Sequence, residues 1–271
     1  MSRRIVIAHS PDSDDAFMFY AFAAGKVDMK GYEFDHYLQD IKTLNTEAEK
    51  GRFEISALSI HAYPYVSDKY ELMTCGASMG DNYGPMVLTK GKVSHKDLSR
   101  LTVAVPGLKT SAYLALKLWN PDIQTVAMPF DKIMNAVQCG EAEAGLIIHE
   151  GQLTWKEKGL YSVVNLGEWW FEFTGGLPLP LGGNVVRRDL GEKTIRELND
   201  ILRKAIRYSI EHKEEALRYA MKYAGELNKE TAGIFVSMYV NELTIDYGER
   251  GRQAIQRFLG MAEERGLIRK P

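Results

Sequence analysis

Glu143-Ala144-Gly145-Leu146-Ile147-Ile148-His149-Glu150 is the stretch from which the 271-residue chain is best read. Small residues lead into an unbroken apolar run, the pattern of a parallel strand covered on both faces. The run stops at a histidine, and Gly151 follows. In open α/β sheets, ligands bind outside the carboxyl ends of the strands. His149 therefore stands where a small molecule would dock, and a free imidazole titrates near ~6.5, within reach of neutral pH. Two readings stand side by side: a histidine hydrogen-bonded to backbone at a strand end, or a proton acceptor facing a ligand.

Working outward, the chain opens with a strand–loop–helix unit. Ile5–Ala8 is the strand, His9-Ser10-Pro11-Asp12-Ser13-Asp14-Asp15 the loop, and Ala16–Ala24 the helix, closed by Gly25. Ser13 or Asp14 suits the N-cap, and Asp15 complements the helix dipole. Capping accounts for these aspartates without a divalent metal, because no ordered set of oxygen ligands follows. Ser10, at the strand tip, either faces a ligand or starts the turn. Tyr32–Leu38 reads as the second strand, and Thr43-Leu44-Asn45 opens a helix to Lys50. The Asn45 amide serves either a ligand or local backbone. Ile55–Ile60 is the third strand and its exit. Ala57 and Ser59 are small enough there for backbone to approach a ligand. His61 falls in the following helix, Ala62–Ser67, and Tyr70–Cys75 is a further strand.

After the polar stretch Gly91–Ser99, Leu101–Val105 begins a second set of the same kind. Pro106-Gly107-Leu108-Lys109 turns into the helix Ala112–Trp119, capped by Thr110 or Ser111. The N–H groups at such a helix start form an anion site, the best place in the chain for a carboxylate or phosphate. Thr125–Met128 reads as a strand and Asp131–Cys139 as a helix. Trp169, Trp170, Phe171 and Phe173 precede the Pro/Gly-rich run Gly175–Gly183. These rings either wall a planar ligand or fill the core. From Thr194 onward the pattern is helical. Thr194 and Glu197 suit a capping box, and Ile195, Leu198, Leu202, Ala205, Ile206 and Ile210 mark one face. Two more amphipathic helices follow, with stripes at Phe235, Val236, Tyr239 and at Ile255, Phe258, Leu259, Ala262, expected to pack on the first sheet.

This order describes an α/β fold of two lobes. The extended segments Pro85–Lys90 and Asn184–Arg187 read as the two crossover strands. Residues 1–88 with 184–271 would then make a larger, discontinuous lobe, and residues 89–183 a smaller one. A cleft between lobes would gather Ser10, Ala57–Ser59, Thr110–Ala112 and His149.

Composition narrows the function further. The chain is 45% hydrophobic and 26% charged, with a formal net charge of -2 and no Lys/Arg-rich block. No nucleic-acid partner and no membrane surface are expected. No apolar run has membrane-spanning length, and no signal-peptide core follows Met1-Ser2-Arg3-Arg4, so a cytoplasmic location is expected. Cys75 and Cys139 show neither metal spacing nor a disulfide framework, which suits a reducing compartment. Dinucleotide, P-loop, nucleophile-elbow and zinc-protease motifs are absent. No cofactor and no metal are expected, which leaves cofactor-free chemistry or plain binding.

The residues also resemble a known family. Ser10-Pro11-Asp12-Ser13-Asp14-Asp15-Ala16-Phe17-Met18-Phe19-Tyr20-Ala21 is similar to the N-terminal signature of the 1,4-dihydroxy-6-naphthoate synthases of the futalosine route to menaquinone. Thr43-Leu44-Asn45, Leu58-Ser59, Val103–Gly107, Thr110-Ser111-Ala112-Tyr113 and Ala144–Glu150 continue the likeness. Trp169-Trp170, Leu177–Gly182 and Arg187–Gly191 extend it over nearly the whole chain. Many members read Pro-Asn-Asp-Thr where this chain has Ser13-Asp14-Asp15-Ala16. The resemblance implies the two-lobed fold of type II periplasmic binding proteins. It also implies a lyase that splits cyclic dehypoxanthine futalosine into 1,4-dihydroxy-6-naphthoate and a sugar-derived fragment. It puts the proton acceptor on His149 and substrate contacts on Ala57, Leu58, Ser59, Ser111 and Ala112. Asn45, Thr110 and Ser10 are neighbouring candidates from the residue reading. The expected partner is a small carboxylate substrate, with the chain a monomer or homodimer. A non-catalytic solute-binding protein and the related chorismate dehydratase are the competing functions.

Overall fold

The computed structural model describes residues 3–223 and 228–269. Met1 and Ser2, which the sequence reading leads into the first strand, lie outside the described residues. The strands are β1 Arg3–His9, β2 Tyr32–Leu38, β3 Ile55–Ser59, β4 Tyr70–Leu72, β5 Ser78–Gly80 and β6 Met86–Thr89. They continue as β7 Thr102–Val105, β8 Gln124–Ala127, β9 Ala144–Ile147, β10 Tyr161–Asn165 and β11 Leu179–Arg187. The helices are α1 Ser13–Met18, α2 Tyr20–Ala23, α3 Ile41–Glu49, α4 His95–Leu98, α5 Ser111–Trp119, α6 Phe130–Cys139 and α7 Gly151–Thr154. After these come α8 Leu166–Thr174, α9 Glu192–Glu211, α10 Lys213–Ala220, α11 Lys229–Tyr239, α12 Glu242–Ile245 and α13 Gly248–Glu264. The chain folds as two compact units. The first takes the segment up to Ser78 with Gly182–Glu249, and the second takes Met79–Leu181 with Arg250–Ile268.

In the first unit the sheet runs β2-β1-β3-β11-β4. β1 is parallel to both β2 and β3, and β11 is antiparallel to β3 and β4. The register Ile7↔Ile55 and Ala8↔Ser56 brings the carboxyl ends of β1 and β3 to one edge, and with them Ser10 and Ser59. Ile5, Ile7, Phe17, Leu198, Leu202 and Ile206 share one core, so α1 and α9 are held to the sheet by apolar burial. Each such side chain contributes roughly 1.5–3 kcal/mol. Leu44 of α3 packs with Ala8 and Phe53 in a separate cluster.

The second sheet runs β10-β6-β9-β7-β8, with β7 parallel to β8 and β9, and β6 antiparallel to β9. All four residues of β9 are buried, as its apolar run demands. Gly145 explains the small residues that lead into that run. A Cβ there would lie 2.5 Å from Ile133 Cγ2 and 2.8 Å from Val137 Cγ2, so only glycine lets α6 pack this closely on β9.

Several expectations are corrected. Met86–Thr89 is no crossover; it pairs along its length with β9 inside the second sheet. The chain passes between units at Ser78/Met79, within β11 at Leu181/Gly182, and again at Glu249/Arg250 and Ile268/Arg269. Arg250–Ile268, which holds most of α13, belongs to the second unit, not to the first sheet, because Phe258 meets Trp170 edge-on at 5.4 Å. The first helix is interrupted at Phe19, and its N-cap position falls on Asp12, whose side chain makes no capping bond; Asp14 and Asp15 lie in the first turn, where the Asp15 carboxylate accepts from the Ser10 N–H. No Thr194–Glu197 capping box forms. Gly191, at φ 83°, starts α9 earlier, which places Thr194 inside the helix as acceptor for Arg3 and Glu197 as acceptor for the Tyr32 hydroxyl. His61 lies in a 3-10 turn, Ile60–Tyr65, not an α-helix.

Candidate functional site

The first-unit candidates lie at the carboxyl edge of β1 and β3. Asn45 and Ser59 bond reciprocally: Asn45 Nδ2 donates to Ser59 Oγ at 3.0 Å, and Ser59 N–H donates to Asn45 Oδ1 at 2.9 Å. Both are buried, so α3 is locked to the end of β3 by polar groups that have given up water. Ser59→Ala removes the acceptor for the Asn45 amide. It is expected to cost about 1–3 kcal/mol, read as a lower urea midpoint at unchanged slope. A shift under ~0.5 kcal/mol would show that the pair adds nothing. The Leu58 side chain belongs to a core cluster with Val66 and Tyr70, which leaves its backbone as the part that could meet a ligand. Ala57 is half-buried.

Ser10 is engaged in its own loop. Its N–H donates to Asp15 Oδ2 at 2.7 Å, and its hydroxyl accepts from the Asp12 N–H at 3.1 Å. Burial pushes the Asp15 carboxyl up to about 7, against the pull of the Ser10 N–H. The Ser10 carbonyl lies 2.8 Å from His9 Nδ1, and His9 Nε2 lies 2.9 Å from His36 Nδ1. A carbonyl can only accept, so His9 carries its proton on Nδ1 and its bare Nε2 accepts from His36 Nδ1–H. Sequence reading placed His9 in a loop and missed this pair, because β1 and β2 must first align side by side.

Burial pulls the His9 imidazole down to about 3, with His36 adding to the effect, from 6.5 in a free histidine. Below pH ~6.5 the unfolded chain takes up a proton that the folded chain refuses, so stability present above that pH is lost as pH falls. Between pH 6.5 and 5 the wild type should lose about 1.5–2 kcal/mol relative to His9→Phe. Urea titrations of both proteins across that window test this. A difference that stays flat would show that His9 is not held neutral.

In the second unit, β7 and β9 are parallel neighbours in the register Val103↔Ala144, so the loop after β7 and the turn after β9 leave the sheet at one edge. Thr110 caps α5, its hydroxyl accepting from the Tyr113 N–H at 3.2 Å and donating to Gly107 O at 2.8 Å. Ser111 and Ala112 are the first helical residues, whose amides fall outside the helical ladder. The Ser111 hydroxyl donates to Leu181 O at 2.5 Å, which ties the helix start to the Pro/Gly-rich run. That run is held in turn by Trp170, whose Nε1–H donates to Pro178 O at 3.0 Å. Trp170 is wholly buried and is core; Trp169 stacks on Phe173, which is half exposed.

β9 ends at Ile147, so His149 sits two residues beyond it, in a bend. The Gln152 N–H donates to His149 O at 2.8 Å and closes the turn into α7. The imidazole is half-buried, with the Phe130 ring 4.2 Å away at 46°. Phe130 went unnoticed in the sequence although a signal was there. A helix following β8 in a βαβ unit begins at the same edge where parallel β9 ends. Among the described residues, no cluster of three or more His, Cys, Asp or Glu could hold a metal ion. No described helix is long and apolar enough to cross a membrane.

The family described as "Menaquinone biosynthesis" matches residues 5–264. A 1,4-dihydroxy-6-naphthoate synthase of Thermus thermophilus is 42% identical over 261 residues, 96% of this chain and 94% of its own. A Streptomyces coelicolor protein of the same name is 38% identical over 268 residues, 97% of this chain and 94% of its own. A crystallised Archaeoglobus fulgidus protein is 46% identical with a TM-score of 0.93, covering 98% of both chains. A Candida albicans protein described as having the generic periplasmic binding protein fold aligns at a TM-score of 0.71 over 99% of this chain and 92% of its own, at 13% identity. The fold is thus that of the periplasmic binding proteins. With a family match that runs almost end to end, the chain belongs to the menaquinone biosynthesis family.

Proposed function

We propose that the chain is a 1,4-dihydroxy-6-naphthoate synthase, a cofactor-independent lyase that cleaves cyclic dehypoxanthine futalosine. The observation that carries this reading is its near full-length likeness to two proteins of that name. Each site residue takes a role suited to its place. The amides of Ser111 and Ala112 at the α5 start, with Thr110 beside them, hold the substrate carboxylate by charge-assisted hydrogen bonds. Asn45, Ser10 and the Ala57–Ser59 backbone contact the remaining polar groups. His149 takes a proton as general base, worth typically about 10²–10⁴-fold. The electron pair left by that proton closes a carbonyl on the sugar-derived fragment, the carbon–carbon bond breaks, and its electron pair enters the ring, whose oxygen takes up a proton as the ring becomes aromatic. The protein's share is orientation and exclusion of water. A cytoplasmic place suits two separate thiols, Cys75 buried and Cys139 exposed.

The test is incubation of the purified protein with cyclic dehypoxanthine futalosine, followed by chromatography and mass detection of naphthoate. Catalytic product formation supports the lyase. Tight binding without turnover would leave a solute-binding protein, and loss of water from chorismate would make it the dehydratase.

A further inference from the structure

We propose that Phe130 is the positioning residue for His149, its ring holding the imidazole in the orientation from which it takes the substrate proton. The inference rests on the lyase reading and extends it to a residue 19 positions away in sequence. The ring contact is direct, with centroids 4.2 Å apart and planes at 46°. An imidazole seated on an aromatic face loses rotameric freedom through that packing.

The platform beneath the ring is rigid. Phe130 is the first residue of α6, directly after Pro129, whose ring fixes φ at -54°. One turn on, α6 is sunk into the core by Ile133, Ala136 and Val137, packed over the glycine of β9. The same helix meets the His149 turn a second time. A Cβ on Gly151 would lie 3.2 Å from Met134 Sδ and 2.9 Å from Ile147 Cγ2. Phe130 thus supports the histidine ring, Met134 supports the turn after it, and the Gln152 N–H to His149 O bond closes that turn. Phe130 exchanges no proton.

Loss of such support acts on the chemical step more than on binding, because misplacement of a reacting group by about 1 Å costs ~10²-fold in rate. Phe130→Ala is expected to lower kcat by about 10–100-fold with KM changed less than about threefold, whereas Phe130→Tyr keeps the ring and restores kcat to within about threefold. Thermal midpoints of both variants, taken alongside, show how much protein is folded at the assay temperature, and kcat is referred to that amount. A purely structural role would leave kcat per folded molecule unchanged in Phe130→Ala, which would overturn the proposal while leaving the lyase intact. So would a rise in KM alone, or a Phe130→Tyr variant as slow as Phe130→Ala. A wild type that makes no naphthoate would overturn the lyase reading itself, and the role of Phe130 with it.

Discussion

His149→Ala is expected to lower naphthoate formation by at least about 10²-fold, and by as much as ~10⁴-fold, because it deletes the only group assigned to take the proton. In activation free energy this is about 3–5 kcal/mol. KM should stay near the wild-type value, since the carboxylate is assigned to amides of a different element, the start of α5. The fold should tolerate the change: His149 is half-buried and lies past the end of β9, outside the ladder that holds the sheet. Added imidazole should recover part of the rate in His149→Ala by entering the space beside Phe130. Steady-state kinetics with and without imidazole decide the matter. A variant with undiminished kcat would keep the synthase but move its base to another residue.

Trp170→Ala is expected to have the largest effect on stability, about 3–5 kcal/mol. The indole is wholly buried, meets Phe258 of α13 edge-on at 5.4 Å, and donates Nε1–H to Pro178 O. Truncation leaves a cavity, takes α13 off its anchor and strips the Pro178 carbonyl of its donor. The effect reaches the site as well. The Pro/Gly-rich run that Trp170 holds ends at Leu181, whose carbonyl accepts from the Ser111 hydroxyl. Urea unfolding of the two proteins measures the loss, and a change under ~1 kcal/mol would show that the ring does not organise this core.

Much of the fold was legible because its cues are local. The apolar run of β9, the Thr110 cap and the alternation of strands with helices each need only a few consecutive residues. The start of the first helix was misread since Ser13 and Asp14 both suit a cap, whereas the cap position falls on Asp12, where no side-chain capping bond marks the boundary. The rings at 169–173 were ambiguous for a similar reason. Trp170 and Phe173 are both large aromatic rings, and one is core while the other is half exposed.

By itself the sequence determined the α/β class, the buried strand that leads toward His149 and, through its resemblance, the family. Those properties follow from hydrophobic period, capping chemistry and motifs that need no partner. Tertiary structure alone decided which strands became neighbours, that α13 joined the second unit, that His9 and His36 share a hydrogen bond, and that Phe130 lies against His149. Each of these joins residues distant in the chain. Strand pairing follows from side-chain packing across the whole sheet and not from an intrinsic preference of either strand, so short segments cannot encode it.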